Sequence, residues 1–159
     1  MSRVRKIMLD DAPTLKKEAK IEEAAKLLSR TENGCIVIVE DKKPIGIVTE
    51  LDFVRKISSG KINFEDPISK LMTSPVICMT PDFKLDEALK MIDTKRFRKY
   101  PVVENGQLVG LVTKNGVVRA ISDNVTLHRA IQNIILVLFV VFELFVFLLY
   151  KPLIRYLGG

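Results

Sequence analysis

The chain has 159 residues, 28% of them charged and 48% hydrophobic, with a net charge of +6. That positive excess comes without a basic tail or an interleaved aromatic motif, so nucleic acid is not indicated as a partner. Two cysteines in apolar surroundings, Cys35 and Cys78, point to reduced core thiols of a cytosolic domain, and the single histidine, His128, gives no ligand set for a metal.

In chain order, an irregular or short-strand lead-in at 8–15 is followed by Ile21, Ala24, Ala25 and Leu28, whose spacing gives one apolar face of a helix. Two short apolar runs, 36–39 and 45–48, flank the polar "EDKK" and predict neighbouring buried strands. Thr49 then opens a second helix, with Val54 and Ile57 apolar. After a polar linker at 58–67 the same series returns. It comprises a lead-in at 72–79, a helix on Leu85, Ala88, Leu89 and Ile92, strands at 100–103 and 108–112 around "ENG", and a helix after Thr113 with Val118 and Ile121. Sliding 4–57 onto 68–121 at a constant offset of 64 needs no gap, and 14 of the 54 pairs are identical. That is an internal duplication. The chain divides at 1–60, 61–124 and 125–159.

The lead-in, the strand "YPVV" (100–103) and the phrase Gly-h-h-Thr-x-x-Asp (46–52), duplicated in this order, resemble the CBS domain, a small module usually found in tandem. The fold class expected is α/β. Two CBS-type helix–strand–strand–helix repeats pack sheet to sheet about a pseudo-twofold, and one C-terminal transmembrane α-helix follows.

Thr49 and Asp52 have two readings. As a capping box, the hydroxyl caps the helix and the carboxylate reaches back to a backbone N–H. As a ligand site, the helix N-terminus suits phosphate and the carboxylate accepts from a ribose diol. The resemblance implies the second, with an adenine nucleotide (AMP, ADP or ATP) or S-adenosylmethionine as regulatory ligand and no metal. It also implies that the cleft is completed by Gly34, Ile47, Thr73, Val76 and Ile77 and by Phe97, Arg98 and Lys99 within the cationic "KRFRKY" of the second repeat. There Asp52 is replaced by Gly116, so only one of two equivalent clefts keeps a ribose acceptor.

The tail run 131–150 is apolar on every side apart from Gln132, Asn133 and Glu143. As a helix its 20 residues span about 30 Å, the thickness of a bilayer core. Its apolar residues, at roughly −0.3 to −0.6 kcal/mol each, outweigh one acid at about +3 kcal/mol. His128 and Arg129 flank one end, and Tyr150, Lys151, Arg155 and Tyr156 the other, as interfacial anchors. Gln132 and Glu143 lie about three turns apart on one side, which suits packing against another helix more readily than an ion site.

The function expected is that of a single-pass membrane-tethered sensor with its CBS pair in the cytoplasm. Its tail docks to an integral membrane protein, and the assembly is a homodimer or a heteromeric membrane complex. The alternative is a structural assembly subunit that binds no ligand. An enzyme is not expected, because no nucleophile–base pair or phosphate loop is legible.

Overall fold

The computed structural model of the chain describes residues 2–60, 62–95 and 97–157, and side chains outside 124–128, 130 and 149–157. The chain forms two compact units, Met1–Val118 and Arg119–Gly159.

The first unit contains both repeats. Repeat one comprises β1 (Thr14–Leu15), α1 (Ile21–Leu28), β2 (Cys35–Glu40), β3 (Lys43–Thr49) and α2 (Glu50–Ile57). Repeat two comprises α3 (Leu85–Lys95), β4 (Lys99–Glu104), β5 (Gln107–Thr113) and the start of α4 (Lys114–Leu157). β2 and β3 pair antiparallel with Ile36 opposite Val48, and β4 and β5 pair with Tyr100 opposite Val112. Even the irregularities are duplicated. The register shifts between Ile38 and Val39 in one hairpin and between Val102 and Val103 in the other. Leu15 lies parallel beside Ile38, as Met79 does beside Val102.

The two repeats exchange their lead-ins. Leu9 of repeat one pairs with Leu111 on β5, and Thr73 of repeat two pairs with Ile47 on β3. Further out the exchange recurs, Arg3 bridging to Lys84 and Pro67 to Lys20. Each pair maps onto its counterpart at the offset of 64, so the pseudo-twofold is written in backbone hydrogen bonds. It explains Gly46 and Gly110. A Cβ on Gly46 would lie 2.6 Å from Met72 Sδ, and one on Gly110 would lie 2.6 Å from the Leu9 carbonyl oxygen. A lead-in can cross the strand only where no side chain stands in its way.

Strand alternation then fills two cores. Ile36 and Ile38 on β2 pack with Ile21, Ala24 and Leu28 of α1, Val48, and Ile68 and Leu71 of the other repeat. Cys35 and Val37 point to the opposite face, where they meet Ile47 and Leu111 from the second hairpin. The hairpins are therefore buried on both faces and packed against each other, as the duplication predicts. Each fully buried Ile or Val contributes about 1.5–3 kcal/mol.

Two details depart from expectation. On α2 the side packed against the core is formed by Phe53 and Ile57, while Val54 is 66% exposed; in repeat two Val117 is buried and Val118 exposed. Of the expected pair Val54 and Ile57, only Ile57 faces the core, while Val54 turns outward along with Leu51. Second, α4 runs unbroken from Lys114 to Leu157, with no cap near Asn124. No Gly or Pro lies between Ile121 and Leu148 to stop it. The second unit is helical through Leu157, and its apolar stretch Ile131–Leu148 has a mean hydropathy of 2.6 with none of its side chains buried.

Candidate ligand site

Thr49 is the extended N-cap of α2 (φ −123°, ψ 163°). Its N–H donates to Asp52 Oδ2 at 2.8 Å and its hydroxyl donates to the same oxygen at 2.7 Å. Among the described residues no hydrogen bond reaches Oδ1. In repeat two the carboxylate is gone, and the Gly116 N–H donates to Thr113 Oγ1 at 3.1 Å. The capping geometry is therefore present, complete in the first repeat and half-built in the second.

Next to β3 lies a small cavity lined by Ile47, Thr73, Pro75, Val76, Ile77, Phe97, Lys99 and Tyr100. The Ile47–Thr73 bridge brings the lead-in of repeat two against β3, and the Ser74 hydroxyl donates to the Ile45 carbonyl at 2.9 Å. The cavity is narrow, at about 10 Å³, barely room for one water. Phe97 forms part of its wall, edge-on to Tyr100 with ring centroids 6.4 Å apart. Tyr100 is fully buried, and among the described residues its hydroxyl has no hydrogen-bond partner. Burial pushes that phenol above its usual range, and the Phe97 backbone, nearby but outside hydrogen-bond geometry, opposes the shift.

Lys99 also lines an open cleft of about 660 Å³, together with Glu32, Asn33, Gly34, Glu50, Arg98, Thr113, Lys114 and Asn115. The cleft lies between the first turns of α2 and α4. The Glu50 N–H faces the Gly34 carbonyl at 3.4 Å, as the Lys114 N–H faces that of Arg98 at 2.7 Å. Lys99 Nζ donates to the Gly34 carbonyl at 2.6 Å. Gly34 is held at φ +54°, a conformation that favours glycine, and a Cβ there would only have to displace the movable Glu50 carboxylate 2.8 Å away. The cleft is polarised. Repeat one supplies the carboxylates Glu32 and Glu50, and repeat two the cations Arg98, Lys99 and Lys114. Beneath it, burial pushes the Cys35 thiol up to about 11; Lys99 pulls against this shift and Glu50 adds to it.

The residues expected from sequence fall into three groups. Ile47, Thr73, Val76, Ile77, Phe97 and Lys99 converge on the narrow cavity, and Gly34, Arg98 and Lys99 line the open cleft. Thr49 and Asp52 line neither, being engaged with each other at the start of α2. Gln132 and Glu143 belong to the second unit and are exposed. Arg96, and the side chains of His128, Tyr150, Lys151, Arg155 and Tyr156, lie outside the described residues. Sequence reading missed Pro75 and Tyr100 in the cavity and Glu50 and Lys114 in the cleft. The last two occupy the same repeat position, immediately after each Thr, with opposite charge; the offset itself was the available signal.

A duplicated α/β unit with exchanged lead-ins and a ligand-sized cleft between helix starts defines a class of small regulatory modules. The sequence matches the CBS domain over residues 4–59 and 68–123, and this chain belongs to that family. It is 32% identical over 117 residues to an uncharacterized protein of Methanopyrus kandleri, covering 72% of this chain and 58% of that one. It is 30% identical over 122 residues to an uncharacterized protein of Methanocaldococcus jannaschii, covering 76% and 43%. The chain thus spans about half the length of these curated relatives. Its fold is similar to the CBS domain pair of protein MJ0100 in complex with 5′-methylthioadenosine and S-adenosyl-L-methionine (TM-score 0.70, 25% identity, 77% of this chain and 98% of that one).

Proposed function

We propose that this protein is a membrane-tethered regulatory subunit whose CBS pair binds one adenine nucleotide or adenosyl ligand and modulates an integral membrane partner. The observation that carries the reading is that Lys99 lines both a mostly apolar cavity and a cation-bearing cleft. The apolar walls suit a flat base. Arg98, Lys99 and Lys114 suit phosphates or a carboxylate. That the related MJ0100 pair holds adenosyl compounds supports the same ligand class. The absence of a carboxylate at Gly116, with Glu50 standing where Lys114 stands in the mirror position, supports one ligand per chain rather than two.

The apolar span Ile131–Leu148 supports a single-pass tether with the CBS pair on the cytoplasmic side. The outward-facing Leu51, Val54 and Val118 support assembly of the pair with a second copy or within a heteromeric complex. The reading assigns no catalysis to the chain.

A second reading, a structural subunit that binds no ligand, is favoured by the small volume of the cavity. Calorimetry on the full chain in mild detergent with AMP, ADP, ATP and S-adenosylmethionine separates the two. Saturable binding of any one supports the sensor, and no heat from all four supports the structural subunit. Arg98→Ala is expected to weaken nucleotides more than adenosine.

A further inference from the structure

Tyr100 combines three properties that do not normally coexist. Its side chain is fully buried, its hydroxyl is unpaired, and it lines the cavity formed with Ile47, Val76, Ile77 and Phe97. Burying a hydroxyl without a partner is destabilising, and phenylalanine would fill the same space at no such cost. The nearby Phe97 backbone N–H could at best donate to the phenol oxygen, which leaves the hydroxyl's own proton without an acceptor. The equivalent position in repeat one is Ile36, packed in the core and carrying no polar atom, so the fold itself does not need a hydroxyl here. A ligand that displaces the wall around Tyr100 would offer that hydroxyl the acceptor it lacks.

We infer that Tyr100 is a specificity residue whose hydroxyl donates to a ring nitrogen of a purine base bound against Ile47, Pro75, Val76 and Ile77. The inference rests on the ligand class proposed above and adds the group that reads the base. The ring nitrogen follows from chemistry. The walls around Tyr100 are apolar and suit the base rather than the sugar, and the acceptors on an adenine edge are ring nitrogens, its exocyclic amine being a donor. Entry requires a wall to move, since about 10 Å³ admits no base. Phe97 is the wall that can do so. It is 42% exposed, lies in the short segment between α3 and β4, and touches Tyr100 edge-on, so turning it outward opens the cavity and uncovers the hydroxyl together.

The test uses the full chain in mild detergent and the variant Tyr100→Phe. Without ligand, the variant should melt at a higher temperature than wild type, because an unpaired buried hydroxyl has been removed. With ATP or adenosine, it should bind about ten-fold more weakly, the loss expected for one hydrogen bond. A merely structural tyrosine would not move stability and affinity in opposite directions. Among 1-deaza-, 3-deaza- and 7-deazaadenosine, one should bind wild type about ten-fold more weakly than adenosine does, and Tyr100→Phe should abolish that difference. Unchanged affinity in Tyr100→Phe, a lowered melting temperature, or equal binding of all three analogues to wild type overturns the inference while leaving the ligand class standing. If wild type binds none of AMP, ADP, ATP, S-adenosylmethionine and adenosine, the adenine reading falls first and this assignment falls with it.

Discussion

Leu9 and Leu111 exchange both backbone hydrogen bonds, at 2.8 and 2.9 Å, although one belongs to the first repeat and the other to the second. Ile47 and Thr73 do the same at 3.1 and 2.8 Å. These reciprocal crossings fasten the repeats together, and each depends on the glycine that precedes the strand residue. Gly110→Ala should cost about 3 kcal/mol, because its Cβ would collide with the Leu9 backbone. Gly46→Ala should cost only about 1 kcal/mol, because the atom nearest its Cβ is the movable Met72 sulfur. Urea midpoints of the two variants check the order; equal losses would contradict the geometry.

Asp52 and Gly116 are the natural test of the capping asymmetry. Asp52→Ala should lower stability by about 1 kcal/mol through loss of the bonds to Thr49. It should also weaken adenosine-nucleotide binding by about 1.5–3 kcal/mol if the carboxylate holds a ribose as well as a cap. Gly116→Asp should raise stability by about 1 kcal/mol, since it replaces a helical glycine and completes the second box. Thermal unfolding and calorimetry on the same samples separate the cap from the ligand.

The cysteines give a pH dependence of defined sign. Burial holds the Cys35 thiol at about 11, up from 9.0. Between about pH 9 and 11 the unfolded chain therefore releases a thiol proton that the native state keeps, and stability falls as pH rises through that window. The loss attributable to Cys35 should reach about 2–3 kcal/mol, and Cys35→Ala should remove that part of the slope. Iodoacetamide at pH 8 should modify the half-buried Cys78 before Cys35, read by mass spectrometry.

Glu143 decides how the apolar helix is used. If Ile131–Leu148 crosses a bilayer, alkaline carbonate should leave the protein in the membrane fraction. Glu143→Leu should stay there too while losing most of any co-purifying membrane protein if, as proposed, the carboxyl and Gln132 form the side that meets a partner helix. Release by carbonate removes the tether, and an unchanged set of co-purifying proteins removes the role of Glu143.

Much of this architecture was legible before any coordinate. The continuous burial of 36–38 and the i, i+3, i+4 spacing from Ile21 to Leu28 follow from residue identity alone, because an unbroken apolar run marks a strand covered on both faces and an apolar period marks the covered face of a helix. The offset of 64 carried the duplication, and Thr49 with Asp52 carried the cap, because both are local patterns. The apolar length of the tail was equally local. Sequence also named most of the cavity wall, from Ile47 to Lys99, though only through resemblance to a family. The tertiary structure decided what long-range backbone pairing decides: which lead-in crosses which hairpin, and hence that Glu50 and Lys114 share one cleft. It turned Phe53 rather than Val54 toward the core, because the neighbour on that side comes from residues 68–71 of the other repeat. It also left the Tyr100 hydroxyl without a partner. Hydrogen bonds between backbones have no residue signature, and the absence of a partner is a property of everything around a side chain, so neither could be read from the chain in one dimension.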